Sequence, residues 1–199
     1  CIQGEGGVIP LSKKFVKEMC DFAAQNDILT VVDEVQTGNG RSGSLYAYMN
    51  YGIQPDIVST AKGLGGGLPI GATLFGEKTA NTLGIGDHGS TFGGNPVCCA
   101  GALSILSRID DNLLHEVQEK SNYIFTALQG APGISDVSGM GLMIGIATKR
   151  PAKEIVSECM ENGVLTLTAK DRVRLLPALN IPFDTLKQAI EVIKQVCAK

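Results

Sequence analysis

The sequence predicts an α/β protein with two domains, the first built on a mostly parallel sheet and the second a smaller C-terminal α+β domain. Two short apolar runs, ILTVVD at 28–33 and DIVSTAK at 56–62, have the length and the flanking turn residues of strands buried on both faces. Beyond about residue 130 the pattern changes to the alternation of ISDVSGMGLMIGIA, as in a sheet with one covered face.

The elements follow in order. After Pro10, Ser12 is placed to cap a helix whose apolar residues Phe15, Met19, Phe22 and Ala23 recur on one face. The run 28–33 is the first buried strand, a short amphipathic piece spans Leu45 to Asn50, and 56–62 closes a β-α-β unit. IGATLFG at 70–76 reads as a further strand, and NPVCCAGALSILSRI with DNLLHEVQEKSNYIFTALQ as two helices or one bent one. Pro151 opens a helix carrying Ile155, Val156, Cys159 and Met160, GVLTLT and RVRLLP read as strands, and a last helix carries Leu186, Ala189, Ile190, Ile193 and Cys197. The domains are expected at residues 1–115 and 116–199.

Composition narrows the class of function. The 199 residues are 44% hydrophobic and 19% charged with a net charge of -3, so a core can form and no basic face invites nucleic acid or a membrane surface. No apolar run approaches the length of a bilayer span and no signal peptide is evident, so the expected setting is the cytoplasm. Six cysteines, at 1, 20, 98, 99, 159 and 197, lack C-x-x-C spacing and read as reduced thiols, with no metal site expected. His88 and His115 read as a loop polar group and a solvated helix residue. Twenty-five glycines, several clustered, require close backbone approach or positive φ.

The chemistry gathers at strand ends. Ligands of open parallel sheets sit at the carboxyl ends of the strands, and Asp33 ends one run while Lys62 ends the next. The pair could be a simple ion pair. GLGGGLPIGA after the lysine and Ser59, Thr60 and Ala61 before it instead suit a ligand that approaches the backbone, with an amine desolvated and lowered in pKa, as imine chemistry requires.

DEVQTGNGRSG, PDIVSTAKGLGGGLPIGA and GDHGSTFGGNP, in that order, resemble the class III pyridoxal-phosphate-dependent aminotransferases. The resemblance extends from QGEGGV at 3–8 to RLLPALNIP at 174–182, nearly the whole chain. It implies a fold-type I transferase, with residues 1–115 the C-terminal part of the large cofactor domain and 116–199 the small domain. It further implies that Lys62 is catalytic and bonds pyridoxal 5'-phosphate as an imine, Asp33 pairs with the ring nitrogen, Val35 packs on the ring and Gln36 bonds its phenolic oxygen. Thr91 would reach the cofactor phosphate of the neighbouring subunit in a homodimer. Arg174 would bind the substrate α-carboxylate with Glu5 as its gate partner. The implied reaction moves the δ-amino group of N-acetylornithine to 2-oxoglutarate in arginine synthesis, with ornithine or 4-aminobutyrate as alternative donors.

Taken singly, Glu5, Gln36 and Thr91 are ordinary loop polar residues, and Arg41 reads as a structural arginine bonding loop carbonyls. Two other classes stay open: a nucleotide hydrolase, with ILTVVDE as a magnesium-binding strand, and a non-catalytic interaction fragment. The family's phosphate cup and ring-stacking aromatic are expected upstream. The chain is therefore expected to be a C-terminal portion, inactive alone, with an unpaired sheet edge and an uncovered apolar face.

Overall fold

In the computed structural model, which describes residues 1–199, Ser12 caps α1 (Lys13–Gln25) by accepting a hydrogen bond from the Phe15 amide. Its covered residues are Val16 and Ala23, while Phe15, Met19 and Phe22 are exposed. The helical spacing was legible, but of the face it named only Ala23 is covered in this chain. Contacts divide the chain into two units, one of Cys1, Leu11–Gly40 and Ser44–Asp110, the other of Ile2–Pro10, Arg41–Gly43 and Asp111–Lys199. The sequence reading placed all of residues 1–115 in the first. Ile2–Pro10 belong to the second because Val8 packs with Met143 and Ala169, far along the sequence.

The first unit carries α1 and a three-stranded sheet of β3 (Val31–Asp33), β4 (Ile57–Thr60) and β5 (Ala72–Phe75), in that order. β3 and β4 are parallel, with Val32 opposite Val58 and Asp33 opposite Ser59. β4 and β5 are antiparallel, so the sheet is mixed. The crossover from β3 to β4 contains a 3₁₀ turn, Ala47–Tyr51, in place of a full helix. β3 is an edge strand with Val31 exposed, and Ile28 and Leu29 just before it are exposed too, against the expectation of burial on both faces. An apolar run reports that a strand can be covered, and only neighbouring elements cover it. α2 (Pro96–Leu106) begins at Asn95, whose Oδ1 accepts from the amides of Val97 and Cys98, and Pro96 stands where a missing N–H costs nothing.

The second unit is a four-stranded antiparallel sheet in the order β6 (Ile134–Met140), β7 (Met143–Thr148), β9 (Arg172–Leu175), β8 (Leu167–Ala169). α3 (Asp111–Leu128), α4 (Ala152–Glu161) and α5 (Phe183–Ala198) supply Ile124, Ile155 and Ile190 to a core shared with Ile144, Ile146, Val173 and Leu175. Strand alternation sends Met143, Gly145 and Arg174 to the opposite face, beside the short pair β1 (Ile2–Gln3) and β2 (Ile9–Pro10). Gly141 turns the β6–β7 hairpin at φ +58°, and a Cβ there would stand 2.4 Å from the Arg41 carbonyl oxygen. All six cysteines are free, with Cys98, Cys159 and Cys197 buried. Burial pushes the Cys197 thiol up to about 11. No helix is long and apolar enough to cross a membrane.

Two outcomes are expected. Ile144→Ala, at a position with 0% exposure, should cost about 2–5 kcal/mol in urea unfolding. In the first unit, the Thr30 amide and hydroxyl donate to Asp56 Oδ2 at 2.7 and 2.9 Å and hold the Asp56 carboxyl below its ordinary 3.8. A depressed carboxyl contributes stability that is present above 3.8 and lost as pH falls through the folded value. An acid titration of stability should show this loss, and Asp56→Asn should flatten it; an unchanged acid limb in the variant would assign it to other carboxyls.

Candidate active site

β3 runs out into the loop Glu34–Gly40, and the two carboxylates at its end take opposite fates. Asp33 is exposed, its Oδ1 accepting only from the Val35 amide at 2.9 Å. Glu34 has 0% exposure and accepts from the Ala47 amide at 3.0 Å, the Tyr48 amide at 2.8 Å and the Thr37 hydroxyl. The first two are donors at the start of the 3₁₀ turn, where unpaired N–H groups favour an anion. Glu34 thus folds the loop back on the strand end and leaves Asp33 facing outward. Val35 and Gln36 follow, both half-buried.

Lys62 leaves the same carboxyl end of the parallel pair, three residues beyond Ser59, the partner of Asp33. It is exposed in this chain, where the sequence reading expected desolvation. Its backbone is left-handed, φ +49°, a conformation that costs a non-glycine residue about 1–2 kcal/mol. Gly66 and Gly67 after it have positive φ. The lysine is therefore set into a strained turn with a glycine-rich backbone on its far side. Asn39, which sequence reasoning passed over, donates from Nδ2 to Thr60 Oγ1 at 3.1 Å and to the Ala61 carbonyl at 3.2 Å. The visible signal was an asparagine between two glycines, since Asn tolerates a left-handed backbone, and here φ is +56°. Thr91 is exposed on the turn leading to α2.

In the second unit Arg174 lies on β9 opposite Gly145, its side chain 9% exposed. Nη1 donates to Glu5 Oε1 at 2.5 Å, and the buried Nε has no hydrogen-bond partner. Glu5 sits in the turn between β1 and β2 with its side chain 74% exposed. A guanidinium fork held by one exposed carboxylate keeps donors for a second. Arg41 donates from Nη1 to the carbonyls of Leu142 and Pro177, as the reading of a structural arginine requires.

The donor set of the first unit, a primary amine on a strained turn and an exposed carboxylate at the adjacent strand end, matches the chemistry of pyridoxal phosphate. The class-III aminotransferase family model matches residues 1–197. Acetylornithine aminotransferases of Haemophilus ducreyi and Clostridium acetobutylicum are each 44% identical, over 100% and 98% of this chain and 51% and 52% of theirs. The solved N-acetylornithine aminotransferase of Stenotrophomonas maltophilia superposes with a TM-score of 0.86 at 34% identity, over 99% of this chain and 54% of that one. The ornithine aminotransferase of Toxoplasma gondii gives a TM-score of 0.91 at 30% identity, over 98% and 49%. The chain spans about half the length of the curated relatives it matches.

Glu34 is testable apart from any cofactor. Glu34→Ala strands the amides of Ala47 and Tyr48, and at about 1.5–3 kcal/mol for each charge-assisted bond it should destabilise the first unit by at least about 3 kcal/mol. Urea unfolding measures this, and a loss under 1 kcal/mol would show that water replaces the carboxylate.

Proposed function

Because the chain belongs to the class-III aminotransferases, we propose that it serves pyridoxal-phosphate-dependent transamination, taking the δ-amino group of N-acetylornithine to 2-oxoglutarate in arginine synthesis. The observation that carries the reading is Lys62, on a left-handed backbone at the same end of the parallel pair as the exposed Asp33. When bound, the cofactor supplies an electron-withdrawing ring that accepts the electron pair of the substrate C–H bond.

The residues divide the remaining work. Lys62 Nζ would hold the cofactor covalently and, once displaced by the donor amine, take the proton from the donor's δ-carbon and return it, general acid–base work worth roughly 10²–10⁴ in rate. Asp33 would keep the ring nitrogen protonated; Val35 would pack on the ring and Gln36 would hydrogen-bond its phenolic oxygen. Thr91 would reach the phosphate held by a neighbouring subunit of a homodimer, in the cytoplasm. In the second unit, Arg174 would bind a substrate carboxylate through the fork that Glu5 engages in this structure. Glu5 would pair with it again when a different substrate must enter.

The choice of donor rests on the names of relatives, among them acetylornithine aminotransferases at 44% identity. Ornithine is the second reading, supported by the Toxoplasma gondii structure. Comparison of kcat/KM for N-acetylornithine, ornithine and 4-aminobutyrate in the full-length protein decides between them.

Lys62→Ala should abolish turnover and the borohydride-fixed pyridoxyl label that peptide mapping finds on Lys62 in the wild type; a label on another lysine would overturn the assignment. Arg174→Lys should weaken carboxylate-bearing substrates by about 1.5–3 kcal/mol in kcat/KM. Wild-type kinetics in that variant would remove Arg174 from substrate binding.

A further inference from the structure

Lys62 needs something to keep it in a conformation its side chain disfavours, and the residues around it show what does. Four elements touch the turn: the end of β4, the glycine run after the lysine, the loop after β3, and α2, which packs along Lys62–Gly65. Within the turn, the Leu64 amide donates to the Ala61 carbonyl at 3.0 Å. From the loop, Asn39 reaches the same carbonyl and the Thr60 hydroxyl. A carbonyl only accepts, so the nitrogen end of the Asn39 amide must face Ala61, which fixes the orientation of the group. Asn39 is 7% exposed, and Gly63 passes over its side chain, where an added Cβ would lie 3.6 Å from the Asn39 Cβ.

We propose that Asn39 is a positioning residue for Lys62: its amide clamps Thr60 and Ala61 and so holds the lysine backbone left-handed at the strand end. The proposal rests on the reading of Lys62 as the cofactor lysine. Three features of the structure agree with it. The clamp acts on the peptide immediately before the lysine. Asn39 is itself left-handed, so its place is set by the loop that Glu34 anchors. The Asn39 side chain that ties this loop to the peptide preceding Lys62 is buried, as a fixed support must be.

Two variants separate the clamp from general stability. Asn39→Gly keeps the left-handed backbone of the loop and removes the amide, and Asn39→Asp keeps the shape but turns an acceptor towards the Ala61 carbonyl. In the full-length protein without cofactor, hydrogen exchange at the Leu64 amide should speed up at least about tenfold in both, while the Ile57 amide, bonded to Thr30, exchanges as in the wild type. With pyridoxal phosphate added and the imine trapped by borohydride, labelling of Lys62 should slow by at least about tenfold in both variants, against unchanged labelling of the exposed Lys13 and Lys14. A wild type that labels at Lys62 and variants that match it in labelling and in Leu64 exchange would overturn the clamp and leave the function standing. A wild type without a Lys62 label would overturn the function, and the clamp's role with it. Faster exchange at Leu64 and Ile57 alike would mark Asn39 as merely structural and also overturn the proposal.

Discussion

A carboxylate with no access to water must be met by donors, and in this chain that requirement organises the first unit. Glu34 can be buried only because the amides of Ala47 and Tyr48 and the hydroxyl of Thr37 converge on it. Meeting them bends the loop after β3 back over the strand end. That bend turns Asp33 outward, brings Asn39 against Thr60 and Ala61, and leaves Lys62 on the same edge. The candidate site is thus suspended from one buried, hydrogen-bonded charge.

The two units reach order by different means. The second closes a core of side chains with almost no exposure between its antiparallel sheet and three helices, and it shields Arg174 on the other face beneath the β1–β2 turn. The first holds its register through polar ties, Asp56 to Thr30 and Glu34 to the 3₁₀ turn, while much of its apolar surface, including that of α1 and α2, is exposed. Polar ties of this kind set local geometry closely but bury little apolar area, the main source of net stability. The lengths of the relatives agree with this contrast, since about half of each lies beyond the matched segment.

Where sequence and structure differ, the differences share a cause. Ser12 was readable as a helix start because capping is local, and so was the helical stretch that opens at Asn95. The burial of 28–33 and of Phe15, Met19 and Phe22 was not readable, because periodicity tells which residues share a face and not whether anything lies on it. The sheet's second pairing likewise depends on the turn through Gly66–Gly71, which decides the direction of β5.

At the candidate site the division is just as physical. The sequence by itself determined the chemical groups and the strand ends that carry them: an amine at Lys62 and a carboxylate at Asp33, each closing an apolar run. Tertiary structure alone decided which of the adjacent acids, Asp33 or Glu34, stays outside, since that depends on donors thirteen and fourteen residues further along. It alone put Glu5 on Arg174 across 169 residues, and Asn39 on the peptide before Lys62. Residue type fixes what a group can donate, accept or bond; the partner it meets is fixed by the path of the chain through space, which local patterns do not contain.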